Sequence, residues 1–256
     1  MTEAEWLVCD DPGPMLETLL GKTSDRRLRR FAVECCRRVC EHLIDPRCLR
    51  ALESIEENVG RSRDDTCCRA AADDVRAVRK ERLTHLYASF VSAELAQQAA
   101  DDGIWGLIDE ATAVQAVAKA ESDPICSAAC AVWVAAGAGR TFEDDDTLIG
   151  SAEVSAIHAA SACGNGTSER RLQAQLVRDI FGNPFRTVTA DPSWRASTVV
   201  ALASHMYDSR DFSAMPILAD ALQDAGCTNE AILTHCRAAE LHVRGCWVVD
   251  MVIGKG

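Results

Sequence analysis

The sequence is short of aromatic residues, which make up 5% of it, and Tyr appears only twice. That shortage disfavours sheets, which draw stability from aromatic and β-branched cross-strand pairs. No window of useful length alternates apolar and polar residues with period two, so half-buried strands are not expected. No run approaches the ~18 apolar residues that a membrane-spanning helix needs, so no membrane partner is expected. Glycine-rich phosphate loops of the GxGxxG or GxxxxGKS/T kind are missing, and so are HExxH and GxSxG. These absences remove the dinucleotide-binding, P-loop, zinc-peptidase and serine-hydrolase readings.

What is present points to packed helices. Apolar residues make up 48% of the chain and charged residues 26%. Ala supplies much of the apolar share, and Ala is the best helix former and a poor strand former. Against 27 Lys and Arg stand 39 Asp and Glu, a net charge of −12. An acidic surface repels phosphate backbones, so nucleic acid is not an expected partner. The basic run Arg26, Arg27, Arg29, Arg30, Arg37, Arg38 is read as the solvated face of a helix rather than a polyanion site.

Cysteine is plentiful, with 13 residues. The odd number, the adjacent pairs Cys35–Cys36 and Cys67–Cys68, and an acidic N-terminal MTEAEWLVCDD without a signal-type apolar segment argue against a disulfide framework. A cytoplasmic protein with reduced thiols is expected, most of them packing as small hydrophobes.

Helix signals recur along the whole chain. Thr2 and Glu5 have capping-box spacing. Asp11-Pro-Gly-Pro14 opens a short helix that Gly21 stops, and Ser24 or Asp25 caps the next. Asp45-Pro46 starts a helix closed by Gly60. A long helical pattern runs from Asp65 to about Ala100, and an Ala/Val-rich one follows Gly106 to about Ala120. Asp123-Pro124 starts another, ended by Gly137-Ala-Gly139. The acidic stretch Glu143–Asp146 leads into a small-residue helix reaching Cys163. Further helices are expected over 168–181, 199–207, 212–225, 229–237 and about 243–253, with Gly182 at a helix end. The expected fold is all-α, a multi-helix bundle or irregular α-solenoid-like array of ten or more helices. Its expected division is an Ala-rich body over 1–167 and a C-terminal helical subdomain over 168–256.

The C-terminal third concentrates unusual residues. Cys227, His235, Cys236, His242 and Cys246 are metal-ligand types close in sequence, and zinc is the ion they suit. No CxxC accompanies them, so buried thiols and hydrogen-bonded imidazoles finishing a core are the plainer reading. A helix starting near Leu241 would place His242, Cys246 and Asp250 on one stripe. The same trio can also be read as base (His242), nucleophile (Cys246) and orienting acid (Asp250). Asp220 and Asp224, four apart, read as a solvated acidic face. In GNPFR, Asn183-Pro184 fixes an extended exit from a helix. Asn183, Arg186, Arg244 and Trp247 are the residues expected at an interaction surface.

Both ends carry specific motifs: EAEWLVCDDPGPMLETLLGKTSDRRLRRFAVECCRR at one, and LVRDIFGNPFRTV, MPILADALQDAGC, HCR and HVRGCWVVDMVIGKG at the other. They resemble a bacterial protein family of no known function that occurs in many paralogous copies in large genomes. The resemblance implies that both ends belong to one recurring module, and it carries over no catalytic residue. The functional expectation is a non-enzymatic protein-interaction or scaffold module that binds another protein and needs no cofactor. A zinc-type metal-binding module is the alternative, and a Cys-dependent hydrolase or transferase the second alternative.

Overall fold

The computed structural model describes residues 1–59, 69–79, 81–82, 123–135, 147–163 and 165–255. The fold is all-α, and no strand occurs among these residues. In chain order the helices are α1 (Glu3–Val8), α2 (Pro12–Thr18), α3 (Asp25–Arg38), α4 (Pro46–Glu57), α5 (Pro124–Ala135), α6 (Thr147–Ala162), α7 (Gly166–Phe181), α8 (Ser197–Ser209), α9 (Met215–Asp224), α10 (Glu230–Arg237) and α11 (Trp247–Ile253). Residues 69–79 are also helical, within the long pattern expected from Asp65 to Ala100. The rest of that pattern, Cys67 and Cys68, the Ala/Val-rich segment to Ala120, Gly137-Ala-Gly139 and Glu143–Asp146 lie outside the described residues. No described helix is long and apolar enough to cross a membrane.

Local chemistry sets the helix starts. Thr2 and Glu5 form the expected capping box, with Glu5 N donating to Thr2 Oγ1 and Thr2 N to Glu5 Oε2. Asp11 and Asp45 each accept a backbone N–H two residues on, ahead of Pro12 and Pro46 in the first turn. At the end of α7, Gly182 has φ +71°, the left-handed position that favours glycine.

Two compact units result. The first joins Met1–Glu34 to Arg170–Gly256, and the second is Cys35–Glu169. Residues 1–34 thus fall with the C-terminal segment, whereas a reading along the chain places them in the 1–167 body. Long-range polar contacts explain the difference. Arg178 Nη1 donates to the carbonyls of Trp6 and Cys9 at 3.1 and 2.9 Å, satisfying acceptors that the end of α1 leaves open. Asn183 Nδ2 donates to Glu3 at 2.8 Å, Arg171 pairs with Asp10, and Phe31 packs against Phe181.

In the first unit α8–α11 enclose an apolar core that includes Met206, Leu218, Leu222, Ile232, Val248 and Val252. Each such side chain contributes about 1.5–3 kcal/mol when fully buried. In the second unit α5 packs against α6, and Ala128, Ala131, Ala152, Ala156 and Ala159 on the two helices are all buried. Small side chains let the helices approach closely enough for Ser155 Oγ to donate to the Ala131 carbonyl at 3.0 Å.

The arginines of α3 do not form a solvated face. Within the first unit Arg26 pairs with Asp250 at 2.9 Å. Within the second, Arg37 pairs with Glu56, and Arg38 grips Glu169 with two bonds of 2.6 and 2.9 Å. All three acids are buried. A buried carboxylate costs several kcal/mol unless it is paired and hydrogen-bonded, so these arginines are bound to the interior.

Candidate metal centre

Four side chains of the first unit converge on one point. Asp179 lies in the last turn of α7 and His235 in the last turn of α10. His242 belongs to the irregular segment between α10 and α11, and Cys246 is the N-cap residue of α11. A turn sets the last two: Cys246 N donates to the Val243 carbonyl at 3.0 Å, with Gly245 at φ +97° inside it. Arg244 pins the turn to the end of α8, donating to the carbonyls of Tyr207 at 2.7 Å and Asp208 at 3.2 Å. These are open C-terminal acceptors of α8.

Gly245 has two reasons to be glycine. Its φ is unfavourable for any L side chain, and a Cβ there would collide with Cγ of the buried Arg30. Gly245→Ala is therefore expected to destabilise the protein by about 1–3 kcal/mol, through backbone strain and overpacking. The urea midpoint would fall, while Gly21→Ala, where a Cβ meets nothing within 4 Å, would show the backbone cost alone.

The polar contacts are short. Asp179 Oδ1 lies 2.7 Å from His242 Nδ1 and 3.3 Å from His235 Nε2. Asp179 Oδ2 accepts the Val243 N–H at 2.9 Å. His235 Nε2 lies 3.2 Å from Cys246 Sγ, and the two imidazoles meet edge to face with centroids 4.9 Å apart. One oxygen, two nitrogens and one sulfur all lie within 4.8 Å of one another. Tetrahedral bonds of 2.0–2.3 Å place donors about 3.3–3.8 Å apart, so an ion at the centre asks for shifts of only about 0.5–1 Å.

Burial controls the charge of the site. It pushes the Asp179 carboxyl up, but hydrogen bonds from His235 and His242 and their charge outweigh it, and the group titrates below its usual range. Burial pushes His242 down, while the bond to Asp179 and its charge raise it above the ordinary imidazole value overall. The Cys246 thiol is held well above its usual value by burial first and by Asp179 second. Left to itself this thiol stays protonated, and a cation at the centre would have to displace the proton.

His242 Nε2 is buried and neither accepts nor donates a hydrogen bond. An imidazole that gives Nδ1 to a metal carries its proton on Nε2, and such rings turn that N–H to a backbone carbonyl or carboxylate. The buried Nε2 of His242, which has no partner, is free to take that role.

The structure redraws the set of site residues read from sequence. His235, His242 and Cys246 come together. Cys227 and Cys236 do not join them: both are buried among the apolar side chains of α9–α11, and burial pushes the Cys236 thiol to about 12. His242, Cys246 and Asp250 share no helical stripe, because α11 starts only at Trp247. Asp250 turns instead to Arg26, and burial raises its carboxyl. Asp179 was missed. Its one signal is an acid beside Leu176, Val177 and Ile180 on the buried side of α7.

The residues expected at an interaction surface are engaged within the unit. Asn183 bridges Glu3 and the Phe185 N–H, and Arg186 pairs with Glu3 at 2.5 Å. Arg244 holds α8, and Trp247 stacks on His235. Comparison of the chain with family models, with curated proteins and with solved structures finds no match.

Proposed function

We propose that this protein binds one transition-metal ion of the zinc class through Asp179, His235, His242 and Cys246, as a structural centre. The observation that carries the reading is the convergence of four donors from different helices and loops, two of them buried and two partly buried. One thiolate, two imidazoles and one carboxylate suit zinc, and four protein donors leave no open position for a substrate. Such an ion would tie α7, α10 and the start of α11 to one another and contribute folding energy directly.

Nucleophilic chemistry is less well supported by the same geometry. In a thiol–imidazole–carboxylate relay the thiol and the acid sit on opposite ring nitrogens. Here Asp179 and Cys246 both approach His235 Nε2, and His242 Nε2 reaches neither. Convergence on one nitrogen suits a shared cation better than a relayed proton. A structural ion is compatible with a protein-interaction role, for which Leu7, Val8, Ile44 and Ile217, all more than half exposed, are the apolar side chains to test.

Elemental analysis of the full chain, purified without a histidine tag, tests the proposal. About one zinc-class ion per chain is expected, falling to a trace in Cys246→Ser. Metal-free protein whose melting is indifferent to added zinc or cobalt would count against it.

A further inference from the structure

The four proposed ligands are not equally covered. The side chains of Asp179 and His242 are 2% and 5% exposed and Cys246 is fully buried, whereas the His235 side chain is 14% exposed. Water or a competing ligand would reach the centre along the His235 ring. Two rings lie against it: that of His242, itself a proposed ligand, and that of Trp247, with centroids 5.3 Å apart and planes tilted by 47°.

The indole also rests on Gly182. A Cβ at that position would lie 3.3 Å from Trp247 Cγ and Cδ2, so the indole fits because Gly182 has no side chain. Gly182 ends α7, the helix that carries Asp179, and Trp247 follows Cys246 directly in the chain. One side chain thus contacts the ends of two ligand-bearing elements and is covalently next to the third. The imidazole of His235 cannot swing outward on that side without displacing the indole.

We infer that Trp247 is the positioning residue of the metal centre: it holds the His235 ring with Nε2 facing Asp179 and Cys246, and it keeps water off the exposed flank. The inference rests on the metal reading above. It gives Trp247 a role inside the unit, where a residue of this kind on the surface would read as a binding anchor. Supporting residues around a metal commonly alter affinity 10–100-fold when removed, without touching the ion.

Cobalt-loaded full-length protein provides the test, read by its d–d absorption and by the rate of metal release to a chromogenic chelator. Trp247→Leu keeps apolar bulk but removes the ring face. It is expected to release cobalt about 10–100-fold faster and to lose the intense bands of four-coordinate cobalt as water enters. Trp247→Phe, which keeps an aromatic ring on His235, is expected to stay close to wild type in both readouts. A general loss of core packing would not discriminate between the two in this way. Wild-type spectrum and release rate in Trp247→Leu would overturn the inference, as would equal impairment of Trp247→Phe. Failure of the wild-type chain to take up cobalt is a separate result, and it would sink the metal reading itself.

Discussion

If the proposed ion is bound, stripping it with a strong chelator is expected to lower the melting temperature of the protein by about 8–16 °C. The magnitude follows from linkage: an ion that binds only the folded chain at a thousandfold excess over its dissociation constant adds about 4 kcal/mol, and each kcal/mol is worth ~2–4 °C at this size. Total unfolding is not expected, because α8–α11 keep their own apolar core around Met206, Leu222, Ile232 and Val248. The loss should be concentrated where the proposed ion would stand in for missing secondary structure. Residues 238–246 form no helix and are held by few backbone bonds, among them Cys246 N to Val243 O. Their amide exchange should therefore rise most on chelation and return on adding zinc, since local opening is governed by how few interactions oppose it. A chelated protein with unchanged melting and unchanged exchange in 238–246 would contradict a structural ion.

Asp179→Ala is expected to be the most damaging single substitution at the site, costing about 3–5 kcal/mol and abolishing metal binding. Two losses combine. The carboxylate is buried between His242 and His235, and its other oxygen is the acceptor for the Val243 N–H. Removing it leaves that part-buried donor without a protein partner, which alone costs up to ~1–3 kcal/mol. Asp179→Asn separates the two contributions. Its amide oxygen can still accept from Val243, so part of the stability should return, but the neutral group should not restore the ion. Urea unfolding with and without zinc reads both: zinc should shift the wild-type midpoint and leave both variants where they are. A zinc-dependent shift in Asp179→Ala would remove Asp179 from the ligand set.

The sequence made the helix boundaries legible wherever a local rule fixes them. Thr2 with Glu5, Asp45 with Pro46 and Gly182 are read from neighbouring residues and recur in the structure as caps. His235, His242 and Cys246 were legible because ligand types crowd in a short stretch. The supposed stripe of His242, Cys246 and Asp250 failed at Gly245. A glycine inside a helix costs about 1 kcal/mol, and here it takes φ +97° in a turn that starts α11 later. Asp179 was not legible, since it meets His242 from 63 residues away and only tertiary packing brings them together. The arginines of α3 show the same limit. Their partners Asp250, Glu56 and Glu169 are distant in sequence, so a charged stripe that looked solvated was in fact aimed at buried acids.

X-ray absorption at the metal edge of the tag-free protein addresses the four-ligand centre most directly. One sulfur at about 2.3 Å and three nitrogen or oxygen neighbours at ~2.0–2.2 Å are expected, with the sulfur lost in Cys246→Ser. A shell of light atoms without sulfur, unchanged by that substitution, would place any bound ion elsewhere and contradict the centre described for Asp179, His235, His242 and Cys246.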